Sequence, residues 1–169
     1  MGHTVAQQNT MRQVAQLLNL PADPDDYGWE SAVWFTKKQV IMLHNGTDFK
    51  PGLLHRMGVV SSYTLIQDVW VLYVRRLEDT STNDKLHQRA LKIDEAIRQH
   101  GSRNVETVLS DLRFSELRVL YEWVREYGSS RLVFDLGAYN WMLDGSKLLP
   151  VDIIADRAGT RYDAVYRTT

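Results

Sequence analysis

Apolar residues recur along most of the chain at the three-and-four spacing of an amphipathic helix. Met11, Val14, Leu17 and Leu18 share one face behind a cap at Asn9 or Thr10, and Pro21 closes that helix. Residues 21–28 form a turn-rich acidic loop. The next block reads two ways. Ala32-Val33-Trp34-Phe35 suits a strand, and Thr36 with Gln39 fits a capping box that opens a short helix over Val40-Ile41-Met42-Leu43. The rival is a short hairpin near 31–43, turning at Lys37-Lys38. Neither lysine favours the positive φ of a two-residue hairpin turn, so the helix is preferred.

Residues 44–58 read as a Gly- and Pro-containing loop. From Thr64 to Glu78 apolar residues run nearly all round the helical wheel, which predicts a central buried helix. A buried strand over 69–74 competes with it. The clearest helix spans Asp84 to His100, with Leu86, Ala90, Ile93 and Ile97 at helical spacing and Gly101 at the C′ position. Asn104 and Ser115 each cap a further helix, and Gly128 ends the second. The best boundary lies at Gly128-Ser129-Ser130, which divides a helical body at 1–128 from a C-terminal element at 129–169.

In that element residues 131–143 are an apolar segment closed by Asp144-Gly145. Pro150 suits the first position of a helix and Asp152 its first turn. The predicted helix runs through Ile153, Ile154 and Ala155 to Gly159, and Thr160 caps a second helix over 161–167. Two short helices about a glycine turn, with Ala155 small at the crossing and Ile154 and Val165 apolar, resemble a helix-turn-helix. The resemblance implies a three-helix DNA-binding element whose second helix enters the major groove. It puts Thr160, Arg161 and Tyr162 at base edges, and Arg157, Tyr166 and Arg167 on phosphates.

Charge narrows this picture. The chain carries 20 Lys+Arg against 21 Asp+Glu, so positive charge does not coat it. Residues 157–169 concentrate Arg157, Arg161 and Arg167 against Asp163, a local net of +2. There is no Cys, which removes disulfide frameworks, thiolate metal sites and cysteine nucleophiles. The apolar stretch Val69–Val74 is far short of the ~20 residues a membrane helix needs. No secretory pattern opens the chain, and a cytoplasmic location is expected.

Other chemistry is thin. No P-loop, dinucleotide fingerprint, nucleophile elbow or zinc-protease pattern occurs, so no catalytic residue, metal ligand or cofactor is assigned. His44, Asp48 and His55 fall in one loop region where an enzyme of scattered residues would gather them. Asp152 and Asp156 stand one helical turn apart, which helix-dipole preference alone explains. Lys85, Arg89 and Lys92 share a helix face that reads as solvated. Trp29, Trp34, Trp70, Trp123 and Trp141 read as core.

The sequence thus predicts a mainly α protein: a helical bundle body with a helix-turn-helix-like C-terminal element. The expected function is a sequence-specific transcriptional regulator that binds double-stranded DNA as a homodimer. The alternative is a protein-interaction module, such as an inhibitor, adaptor or assembly factor, that binds no nucleic acid.

Overall fold

The computed structural model describes residues 5–28, 30–45, 49–101 and 104–156. It overturns the mainly α expectation, because strands and helices share the chain. The polypeptide divides into two compact units between Arg76 and Leu77, and the Gly128-Ser129-Ser130 turn lies inside the second.

The first unit begins with α1 (Val5–Leu17), then β1 (Asp26–Tyr27), β2 (Ser31–Phe35) and β3 (Val40–His44). After α2 (Phe49–Arg56) come β4 (Val60–Ile66) and β5 (Val69–Val74). The strands make one antiparallel sheet in the order β1-β2-β3-β5-β4. Met11, Val14 and Ala15 of α1 pack on Ala32, Trp34, Ile41, Leu43, Val69 and Val71. On the other face of β3, Val40 and His44 are buried too. A strand covered on both sides needs a continuous apolar run, and such a run mimics a buried helix in the sequence.

Both misread helices of this unit are hairpins. Thr36 does act as a cap, but of a hairpin turn. Its Oγ1 donates to Gln39 O at 2.6 Å and accepts from Gln39 N at 3.1 Å, and Thr36 N donates to Gln39 O at 3.0 Å. The four-residue turn spares Lys37 and Lys38 the positive φ that a two-residue turn demands. The predicted 64–78 helix is the β4–β5 hairpin. Its turn residues Gln67 and Asp68 take φ of 49° and 63°, a left-handed pair with no glycine to signal it.

The second unit opens with β6 (Glu78–Asp79) and a 3-10 turn at Thr80–Thr82. The predicted long helix follows as α3 (Asp84–His100). Asn83 accepts from Leu86 N at its start, and Gly101 closes it at φ 70°. Next come α4 (Val105–Leu112), capped by Asn104, and α5 (Arg118–Tyr127), entered through a 3-10 turn at Ser115–Leu117. The C-terminal part is β7 (Leu132–Phe134), a 3-10 turn at Ala138–Asn140, β8 (Trp141–Asp144), β9 (Lys147–Pro150) and β10 (Ile154–Asp156). Strands β6, β8 and β9 form one sheet, and β7 pairs antiparallel with β10. Among the described residues no helix is long and apolar enough to cross a membrane.

This arrangement corrects the three-helix reading of the C-terminal element. Residues 131–143 are a strand, a loop and a second strand rather than a helix. Residues 154–156 lie in register with 134–132 rather than in a helix. Leu148, Leu149, Pro150, Ile153, Ile154 and Ala155 are all buried, so this run lacks the polar face an amphipathic helix presents. Pro150 pairs opposite Trp141 on β9, which is an edge strand, where a missing N–H is tolerated.

Candidate functional site

The residues chosen for DNA contact, Arg157, Thr160, Arg161, Tyr162, Tyr166 and Arg167, lie outside the described residues. Within the first helix of the predicted pair, residues 154–156 are a strand.

Of the scattered-enzyme set, His44 and His55 lie among the described residues. His44 is buried in the sheet, and its Nδ1 is 2.9 Å from Ser31 Oγ, its register partner on β2. His55 packs edge-on to Tyr63 at 5.6 Å, and Asp48 is outside the described residues. The Lys85/Arg89/Lys92 face is partly committed. Arg89 makes a two-pronged pair with Glu116 at 2.8 and 3.2 Å and lies over the Phe114 ring. Hydrogen bonding to Arg89 holds the Glu116 carboxyl below its usual range. Asp156 is buried beside Arg131 at 3.3 Å rather than one turn from Asp152 on a helix.

A different cluster forms at the end of β7. The chain leaves that strand at Asp135, makes the 3-10 turn, enters β8 after Asn140, returns along β9 and reaches Asp152. Backbone bonds tie these points together. Asp135 N donates to Ile153 O at 2.8 Å, Asp152 N to Asn140 O at 3.3 Å, and Asn140 N to Gly137 O at 2.9 Å. The Asn140 side chain closes the loop, with Nδ2 donating to Asp135 O at 2.8 Å.

The polar ends of this cluster are not all consumed by the fold. Asn140 is buried, yet its Oδ1 takes no hydrogen bond among the described residues. The Asp135 carboxylate, half-buried, has none either. Asp152 is half-buried, with its main chain fixed against Asn140. Gly137 lies close under the Tyr139 ring, where a Cβ would come within 2.5 Å of Cε1. Behind the loop, Trp141 is fully buried and its Nε1 donates to Asp94 Oδ1 on α3 at 2.8 Å.

Chemically, the cluster offers one uncommitted carboxylate, one amide oxygen and a second carboxylate, all hard oxygen donors. Among the described residues no three His, Asp or Glu side chains converge as a metal cage. Magnesium does not need one, since it is held by one or two carboxylates with substrate phosphates and water.

Helical periodicity does not mark Asp135 and Asn140 as a pair. The available signal was their spacing, Asp-x4-Asn, with a further Asp beyond an Asp144-Gly145 turn. No protein-family model, curated protein or solved structure matches the chain.

Proposed function

We propose that residues 132–156 form a site for a magnesium-bound nucleoside triphosphate, with phosphoryl transfer to a hydroxyl as its chemistry. The observation that carries this reading is the Asp135–Asn140–Asp152 arrangement. Asp and Asn five apart in one loop, tied side chain to main chain at 2.8 Å, are followed across one hairpin by an Asp bonded to the Asn main chain. Protein kinases use this order of groups. A loop Asp accepts the substrate hydroxyl proton, while the loop Asn and a later Asp hold magnesium. Asp135 fills the first role, and Asn140 Oδ1 and Asp152 fill the second. Bound magnesium would neutralise phosphate charge there.

The same pattern elsewhere carries a lysine on the third sheet strand paired with a helix glutamate. This chain departs from it. Strand β3 is Val-Ile-Met-Leu-His, α2 contains no acid, and Lys50 of α2 instead pairs with Glu30 at 3.7 Å. Binding therefore rests on the metal-holding loop, and transfer is expected to be slow. A DNA-binding helix-turn-helix would need a helix before Gly159, and residues 154–156 are paired as a strand instead.

The test is calorimetric titration of the full chain with ATP, with magnesium and with EDTA. The expected result is binding that requires magnesium and weakens at least about tenfold in Asp152→Asn. Equal affinity in EDTA, or an unchanged Asp152→Asn, would overturn the proposal.

A further inference from the structure

Asp94 is the one charged side chain of α3 that the fold fully buries. Its Oδ1 accepts the Trp141 indole N–H at 2.8 Å, and its Oδ2 has no hydrogen-bond partner among the described residues. A neutral acceptor would satisfy one indole donor at lower cost. A buried carboxyl with one oxygen unpaired is an expensive way to do so. Asp94 and Trp141 are 47 residues apart, so the contact fastens α3 to the start of β8.

Trp141 is the residue that follows Asn140. Its main chain is extended, at φ −119° and ψ 137°. Asn140 is the last residue of the 3-10 turn and shares a peptide bond with Trp141, so anchoring the indole ring restrains the main chain from which the Asn140 side chain projects. The Asn140 side chain must in turn reach Asp135 O, a bond whose geometry depends on that restraint.

Resting on the phosphate-site reading above, we infer that Asp94 is a positioning residue for that site. Its Oδ1 holds the Trp141 indole and thereby fixes the backbone that presents Asn140. Asp94 itself touches neither metal nor nucleotide. The requirement is an acceptor oxygen at this place rather than a charge. Asp94→Asn therefore preserves the function of the contact, and Asp94→Leu, of similar size, removes it. Trp141→Phe keeps an aromatic ring and removes the donor.

The experiment reads the Asn140 side-chain amide protons by nitrogen-15 NMR in the full chain without ligand. Wild type and Asp94→Asn should give the same protected amide signal. Asp94→Leu and Trp141→Phe should exchange those protons about tenfold faster, while the main-chain amides of α3 keep their protection. If Asp94→Leu does not fold, Trp141→Phe decides by the same signal. An unchanged Asn140 amide in the folded variants overturns the inference, and so does Asp94→Asn behaving like Asp94→Leu.

A second arm titrates the same proteins with magnesium-ATP. Asp94→Leu should lose about tenfold in affinity, and Asp94→Asn should match wild type. Wild type failing to bind magnesium-ATP would remove the nucleotide reading alone, since the exchange data judge the ordering of Asn140 without any ligand.

Discussion

The Asn140 side-chain amide donates to the Asp135 carbonyl at 2.8 Å, so the candidate base and the candidate metal ligand are held as one piece. Asn140→Leu leaves that carbonyl without its donor. It should lower unfolding free energy by about 1–3 kcal/mol in urea titrations. It should also remove magnesium-dependent ATP binding. A variant as stable as wild type would show that the bond does not order the loop.

Asp135→Asn keeps shape and removes the proton acceptor. Magnesium-ATP affinity should stay near that of wild type, while transfer of labelled γ-phosphate to protein hydroxyls falls by about 100-fold or more. The readout is incorporated label set against binding of the same preparation. Equal labelling in the variant would take Asp135 out of the chemistry.

Burial pushes the Asp94 carboxyl above its ordinary 3.8, against the lowering influence of the Trp141 bond and of Arg98. The folded state therefore holds this proton more tightly than the unfolded chain does. The Asp94 contribution to stability is full below the unfolded value and is lost as pH rises through the raised folded value. Asp94→Asn cannot ionise, so wild type should lose stability relative to it as pH climbs from below 4 toward neutrality. Denaturant midpoints for both proteins across that range measure the difference. A flat difference would contradict the burial argument.

Glu116 shows the opposite sign. Its pKa lies below 4.5, first because Arg89 donates to it. Its contribution is present above the unfolded value and is lost as pH falls through the depressed folded one. The Arg89 side chain is 40% exposed, so solvent screens the pair. Glu116→Gln should cost only roughly 0.5–1 kcal/mol at pH 7, and less in acid or high salt. A loss that persists in high salt would point to packing instead.

Leu72 is fully buried on β5 between β3 and β4. Leu72→Ala should destabilise the first unit by about 2–5 kcal/mol, read as a shift in its thermal or urea midpoint. A loss under about 1 kcal/mol would mean that the sheet is not sealed on both faces there.

The helices were legible where a periodic face and a stop coincide. At α3 the Leu86-to-Ile97 face and Gly101 both speak for one element. The sheet was not, because its signals are shared with helices. Val69–Val74 is apolar on both faces, and Gln67-Asp68 takes a left-handed turn without glycine or asparagine. Thr36 with Gln39 marks a cap, and only the pairing of Ser31–Phe35 with Val40–His44 decides that it caps a turn. The candidate site was hidden for a related reason. Asp135 and Asn140 acquire meaning only when β8 and β9 fold back to bring Asp152 against Asn140, a long-range fact that helical periodicity does not encode.

Strand β4 closes the five-stranded sheet on one side, and Tyr63 and Leu65 stand exposed along it. A straight edge of this kind invites a strand from another molecule. The register breaks between Val60 and Ser62, where Ser61 Oγ donates to Tyr73 O at 3.0 Å. That irregularity bends the edge and spoils its regular spacing of donors and acceptors. Excising Ser61 would straighten the ladder, and the expected penalty is self-association in concentrated solution.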